Sequence, residues 1–272
     1  MADQKVVLIT GVSSGIGQAT ARLLAQRGFT VFGTSRHPSA AEKILGVEVL
    51  PLDVRVEESV SACVDAVLAR AERVDVLVNN AGYVLGGATE EISLEEAKAQ
   101  FETNFFGTVR MVKAVLPIMR RQGGGQIINV SSLVGLVPIP FGGFYSSSKF
   151  ALEGYTEALR HEVKPFNVQV SLVEPGYVKT RLGDNTQRPA TTISDYDPWR
   201  RRFLEARRGH AEKASGPSLV AECVLSIIES PSPRLRVPVG GEATRTARLR
   251  RLLPERLFER GVRRYYQLDA RG

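Results

Sequence analysis

The chain has 272 residues, enough for one large α/β domain or two small ones around a substantial core. Its 43% hydrophobic and 24% charged content is ordinary for a soluble globular protein, and no apolar run approaches the roughly 18 to 20 residues that cross a bilayer. The net charge of +7 is lopsided: residues 181–272 carry 19 Lys/Arg against 11 Asp/Glu, whereas residues 1–180 carry 17 against 18.

In chain order, apolar β-branched runs alternate with helical patterns. Strands are predicted at Lys5–Thr10, Thr30–Ser35, Val47–Leu52, Val74–Asn79, Gln126–Ser131 and Val168–Glu174, with helices near 16–27, 57–72, 94–121 and 146–164. Strands that are nearly continuously hydrophobic, each followed by a helical crossover, belong to a parallel sheet covered on both faces. After Pro175-Gly176 the pattern changes. Residues 181–216 are polar and irregular, with a short helix possible from Trp199 to Arg207, and they read as a lid over a substrate site. A helix at 217–229 and a last strand, Leu235–Val239, follow. Residues 243–267 read as one helix or two, broken near Pro254, with one apolar stripe among arginines.

Several expectations come from the chain as a whole. The first strand starts almost at once and leaves no room for a signal peptide, so a cytoplasmic protein is expected. Cys63 and Cys223 lack ligand-like spacing and read as two buried, reduced thiols; no metal site is expected. The basic C-terminal third reads as a solvated, arginine-rich helical face. A nucleic-acid partner is not expected, and peripheral membrane contact by that segment is the lesser reading.

The first strand runs into Gly11-Val12-Ser13-Ser14-Gly15-Ile16-Gly17 and then a helix. Gly11 lets the chain turn off the strand, Gly15 lets backbone approach a pyrophosphate, and Gly17 allows close helix–strand packing. The helix N-terminus then offers N–H groups and partial positive charge to phosphates. The second strand ends at Thr34-Ser35-Arg36, where no acid is present to bind a ribose 2′-hydroxyl. Arg36 offers a planar cationic fork suited to a 2′-phosphate, which predicts NADP(H); a plain surface arginine is the alternative.

Tyr145 and Lys149, four residues apart at the start of a helical pattern, share one helix face. Ser132 follows a strand thirteen residues earlier, so the three groups can meet at the carboxyl edge of a parallel sheet. Together with the glycine loop this set resembles the short-chain dehydrogenase/reductase family. The residues that carry the resemblance are Thr10 to Gly17, Asp53, Asn79-Asn80-Ala81-Gly82, Asn104, Ser132, Tyr145-Ser146-Ser147-Ser148-Lys149, Pro175-Gly176 and Thr180, spread over roughly residues 5–240. The stretch from Ser131 to Val163 looks most like the steroid- and retinoid-metabolising branch.

The resemblance implies a single Rossmann-type doubly wound domain with a seven-stranded parallel sheet and a C-terminal helical extension, 243–272. It implies an enzyme interconverting a ketone or aldehyde and an alcohol. Tyr145 would be the acid/base, Lys149 would lower its pKa and hold the nicotinamide ribose, Ser132 would orient the substrate oxygen, and Asn104 would serve a proton relay. Asp53 with Val54 would lie at the adenine, Asn80, Ala81 and Gly82 at the ribose, and Pro175, Gly176, Val178 and Thr180 at the nicotinamide. Ser13, Ser14 and Ile16 belong to the phosphate loop. Family members commonly dimerise through the helices at 94–121 and 146–164, so a homodimer is expected, with the C-terminal helices blocking a further tetramer interface. Some members are NADP-sensing regulators or scaffolds, and those often lose the catalytic set that is intact here. Substrate contacts are expected from Ser132, Val134, Phe141, Tyr145, Tyr177, Trp199 and Phe203. Few charges fall near the hydride site, which predicts an apolar or aromatic substrate of steroid-, retinoid-, lipid- or polyketide-like skeleton.

Overall fold

A computed structural model describes residues 4–38, 43–179 and 186–269, with the side chain of Arg251 left aside. Seven strands form one sheet: β1 (Val6–Ile9), β2 (Thr30–Ser35), β3 (Val47–Pro51), β4 (Val76–Asn79), β5 (Gly125–Val130), β6 (Val168–Pro175) and β7 (Arg236–Val239). Their order is β3-β2-β1-β4-β5-β6-β7 and every pair is parallel. The order reverses between β1 and β4, which opens a crevice at the carboxyl ends of those strands.

The sheet is covered on both faces because its strands alternate between two cores. Val6 and Leu8 of β1 face a cluster that also takes Val60, Val64 and Val67 from α2 (Glu57–Ala71) and Met111, Val115 and Met119 from a later helix, α4 (Gly107–Gln122). Val7 and Ile9 face the other side, against Ala21 and Leu24 of α1 (Gly15–Gln26) and Val220, Val224 and Ile228 of α7 (Ser218–Glu229). With side chains alternating along a strand, burial on both faces favours apolar residues at every position, which β1 shows throughout and β4 shows up to Asn79.

The predicted helix at 94–121 is two helices. α3 (Leu94–Phe101) opens with a capping box, in which the Ser93 hydroxyl accepts from the Glu96 N–H and the Glu96 carboxylate accepts from the Ser93 N–H. A π turn, Glu102–Phe106, then joins it to α4. An extra residue per turn leaves no trace in a hydrophobic pattern, so only the structure reveals it. α5 (Gly143–Val163) follows β5, and α6 (Asp197–Glu212) is longer than the short helix predicted there. The C-terminal stripe divides into α8 (Gly241–Leu252) and α9 (Glu255–Tyr265), since Pro254 cannot continue the first helix. Both cysteines are free thiols, but only Cys63 is fully buried; Cys223 is half-buried.

A chain of side-chain hydrogen bonds fixes α5 against the sheet. Asn79 Nδ2 donates to Asn129 Oδ1 at 2.9 Å, Asn129 Nδ2 donates to Thr156 Oγ1 at 2.9 Å, and Thr156 Oγ1 donates to the Leu152 carbonyl at 2.6 Å. All three residues are buried. Thr156→Val keeps the shape but strands the Asn129 amide donor, and a buried polar group without a partner costs about 1–3 kcal/mol. Urea unfolding of T156V is expected to show a loss in that range with an unchanged m-value; unchanged stability would contradict it.

Candidate active site

The glycine loop lies at the β1/β4 crevice. Gly15 has φ +61°, a conformation that side chains disfavour, and it starts α1. At Gly17 an added Cβ would sit 2.2 Å from the Gly11 carbonyl oxygen and 2.5 Å from Asn80 Nδ2, so only glycine lets α1 pack this closely. Ser14 precedes α1 without its side chain capping the helix, and no acid occupies the first turn. The first-turn N–H groups therefore face the crevice with their positive partial charge uncompensated by side chains. This cradle fits a dinucleotide pyrophosphate.

The loop after β4 is tied to the glycine loop. Asn80 Nδ2 donates to the carbonyls of Thr10 and Gly11, both at 2.9 Å, and Thr10 Oγ1 accepts from the N–H groups of Asn80 and Ala81. The Asn80 amide is thus spent on holding two loops together, while Asn80, Ala81 and Gly82 line the same cavity as Gly11, Ser13, Ser14, Gly15 and Ile16. Arg36 is exposed at the rim of that cavity. Beside it lies a second cation that sequence reasoning missed. Arg55 forks onto Asp53, with Nη2 to Oδ2 at 2.6 Å and Nε to Oδ1 at 2.9 Å, and this holds the Asp53 carboxyl down at about 2. Both Asp53 oxygens are engaged by Arg55, so any adenine contact must share them. Val54 packs on Gly107, where an added Cβ would meet Val54 Cγ2 at 2.6 Å.

Of the catalytic candidates, Ser132, Tyr145 and Lys149 line the same cavity of about 1210 Å³, and Asn104 is buried behind it. Ser132 ends β5 in an extended conformation and caps the one-turn 3-10 helix Leu133–Gly135, its Oγ accepting from the Val134 N–H at 3.3 Å and donating to the Pro175 carbonyl at 3.4 Å. Lys149 Nζ donates to the Val130 carbonyl at 2.9 Å. Tyr145 and Lys149 are both buried. Asn104 lies in the π turn. Its Nδ2 donates to the Tyr83 carbonyl and to Ser148 Oγ, its Oδ1 accepts from the Tyr83 N–H, and Ser148 Oγ donates to the Tyr145 carbonyl. Asn104 therefore fastens the first turn of α5 to the loop after β4.

Burial pushes the Tyr145 phenol up, against the Ser132 hydrogen bond and the Arg207 charge, which favour phenolate. Burial also pulls the Lys149 ammonium down to about 8, opposed by Glu153. The lowering of the tyrosine expected from Lys149 is thus absent in this arrangement, and burial dominates.

Pro175, Gly176 and Val178 line the cavity, and Thr180 lies outside the described residues. Of the expected substrate contacts, Ser132, Val134, Tyr145 and Tyr177 line it. Phe141 and Phe203 do not. They stack in a cluster behind the wall, Phe203 lying 5.4 Å from Phe141 and 5.0 Å from Tyr266. Trp199 is on the surface, with the Arg202 guanidinium over its ring. Trp199 and Phe203 share one face of α6, but Trp199 stands in its first turn and stays exposed, while the helix packs through Phe203 and Ala206. The roof comes instead from the C-terminal helices, through Leu249, Leu253, Leu257, Phe258, Val262 and Tyr266. Charges are also present where few were expected: Arg207, Arg208, Glu212, Glu242 and Arg245 line the cavity.

Residues 5–190 match the short chain dehydrogenase family. A 3-ketodihydrosphingosine reductase of Bacteroides thetaiotaomicron is 40% identical over 267 residues, covering 97% of this chain and 98% of the relative. Retinol dehydrogenase 8 of Bos taurus is 39% identical, covering 87% and 82%. Among solved structures, a short chain dehydrogenase/reductase from Burkholderia phymatum in complex with NAD has a TM-score of 0.81 at 28% identity, covering 92% of this chain and 93% of that one. An actinorhodin polyketide ketoreductase with NADPH has a TM-score of 0.75 at 31% identity, covering 89% and 98%.

The loop geometry gives a direct test. Gly17→Ala places a methyl group against backbone, so α1 must shift off the phosphate cradle. Fluorescence titration with NADPH is expected to show Kd raised by roughly tenfold or more, since each 1.4 kcal/mol is tenfold. A Kd equal to that of the parent protein would contradict the cradle.

Proposed function

The chain belongs to the short-chain dehydrogenase family, and on that premise we propose that it is an NADP(H)-dependent oxidoreductase that interconverts a ketone and an alcohol on an apolar skeleton. The observation that carries this reading is the meeting of Ser132, Tyr145 and Lys149 at the floor of a cavity whose other end is the glycine loop. The cofactor, when bound, supplies or accepts the hydride. The chain's own groups orient the substrate and manage the proton.

In reduction, Ser132 Oγ donates to the substrate carbonyl oxygen and holds it beside Tyr145. Tyr145 then transfers its phenolic proton to that oxygen as charge develops there. A free phenol titrates near 10, and burial alone moves it further from neutrality. The Ser132 hydrogen bond and the nearby Arg207 cation stabilise the phenolate left behind. Lys149 is held in place by the Val130 carbonyl and keeps N–H groups for ribose hydroxyls. Leucines and aromatics from α8 and α9 exclude water from the reacting centre.

Two features support NADP(H). The end of β2 carries Arg36 where an acid would select NAD, and Arg55 adds a second guanidinium on the same side. For the substrate, the apolar roof fits a hydrocarbon, while Arg207 and Tyr177 give the reacting end a polar wall. That combination suits a ketone close to the polar end of a lipid-like, retinoid-like or polyketide-like molecule. The names of the two relatives, a ketone reductase and a retinol dehydrogenase, agree with such chemistry.

A carbonyl panel followed by NADPH absorbance, repeated with NADH, tests the proposal. Bulky apolar ketones are expected to turn over and small sugars or hydroxy acids are not. kcat/KM is expected to favour NADPH in the parent protein, and Arg36→Asp to lower that preference by about 10-fold or more, the equivalent of one charged hydrogen bond. A parent protein preferring NADH, or acting only on small polar carbonyls, would overturn it.

A further inference from the structure

Two carboxyls that take no part in the proposed chemistry are buried next to the elements that carry the reacting groups. Glu153 lies on α5, one turn beyond Lys149, and Glu174 lies on β6, immediately before Pro175-Gly176. Both are buried, at 4% and 1% exposure. They meet a single cation. Arg236, at the start of β7, donates from Nε to Glu153 Oε2 at 2.9 Å, and the same Nε lies 3.6 Å from Glu174 Oε1. Its Nη2 goes to Glu157 Oε2 at 2.8 Å, an exposed carboxylate that water also solvates.

Two buried carboxylates share contact with one guanidinium, and Lys149 is the only further cation facing them among the described residues. Two negative charges side by side in a low-dielectric place are costly unless a proton is retained. The polar atoms say where it goes. Ser131 Oγ, Glu153 Oε1 and Glu174 Oε1 are all buried, and none has a partner atom at hydrogen-bond length within ordinary protonation. Ser131 and Glu153 crowd around Gly135, where an added Cβ would meet Ser131 Oγ at 2.9 Å, Glu153 Cγ at 3.1 Å and the Lys149 carbonyl at 3.2 Å. One proton between the carboxyls gives the two glutamate oxygens a partner in each other.

We propose that Glu153 and Glu174 form a carboxyl–carboxylate pair that shares one proton, clamped by Arg236, and that this pair positions the catalytic floor and sets the charge felt by Lys149. It joins three elements: α5, which carries Tyr145 and Lys149; β6, which leads into Pro175-Gly176; and, through Ser131, the end of β5 next to Ser132. The charged groups that face it are Lys149 and Glu157 from α5 and Arg236 from β7. Burial raises both carboxyls, Glu174 to about 8, with Arg236 opposing, so the shared proton is held at neutral pH.

The sign follows from linkage. A carboxyl raised in the folded state binds a proton that the unfolded chain has already released, so its stabilisation is present at low pH and fades as pH rises toward about 8. Loss of the shared proton also adds a negative charge near Lys149 and helps it remain an ammonium. Glu174→Gln keeps the shape and makes the neutral state permanent.

The pair is a positioning device for the proposed reaction and rests on that reading, but its protonation can be observed without substrate. Infrared spectroscopy across pH 6–10 is expected to show a protonated carboxyl band that fades near pH 8 and is missing in E174Q. Thermal unfolding is expected to show the parent protein losing ground to E174Q as pH rises from 6 to about 8, with the gap constant above that. The alkaline limb of kcat/KM is expected to move toward neutral pH in E174Q and in Glu153→Gln, by about half a unit or more. A purely structural contact would leave that limb in place. The pair is overturned if no carboxyl band titrates near pH 8, or if the limb is unmoved in both variants. An inactive parent protein would defeat the oxidoreductase reading and leave the infrared band standing.

Discussion

Every reacting group in the cavity takes its position from one buried contact, the seam between β5 and α5. The Asn79–Asn129–Thr156 chain crosses from β4 through β5 into the helix, and Lys149 Nζ returns from the helix to the Val130 carbonyl. Amide groups so deep in a parallel sheet persist only because each has a partner, and that requirement fixes the register of α5. With the register fixed, Tyr145 and Lys149 face the carboxyl edge one turn apart and Ser132 meets them from the strand. The π turn supplies the remaining constraint, because Asn104 can reach both Tyr83 and Ser148 only from that widened turn.

The polar floor and the apolar roof have different origins. The floor belongs to the sheet edge, built by β1, β4, β5 and β6 and closed by glycine-permitted contacts such as Gly17 against Gly11. The roof belongs to the C-terminal segment, which contributes leucines and aromatic residues through α8 and α9. Phosphate-cradle geometry and proton management therefore sit on the rigid part of the fold, and substrate shape is read by elements packed onto it. Arg207 and Tyr177 add a polar wall to the same cavity.

Much of this was legible in the residues. The glycine loop, Tyr145, Lys149, Ser132 and Asn104 signal themselves because each depends on a residue type at a fixed spacing from strand or helix ends. The central strands were legible because burial on both faces forces nearly continuous apolar runs. What escaped depends on contacts distant in sequence. Arg55 carries no signal in the sequence, and only its fork onto Asp53 puts it in the same cavity as the glycine loop. Phe203 and Trp199 looked equally suited to a pocket, yet Phe203 is buried where α6 packs and Trp199, in the first turn, remains at the surface. The Glu153–Glu174 pair was invisible because two ordinary glutamates, 21 residues apart, meet only when β6 lies against α5. The π turn left no periodic mark.

The central claim is that Tyr145 manages the proton at a site where the cofactor binds independently of it. The most direct test compares Tyr145→Phe with the parent protein on one reducible apolar ketone, measuring turnover and NADPH affinity side by side. General acid catalysis by a positioned side chain contributes roughly 10²- to 10⁴-fold, so kcat is expected to fall by that factor while the NADPH Kd stays within about twofold. Turnover near that of the parent protein would contradict the account.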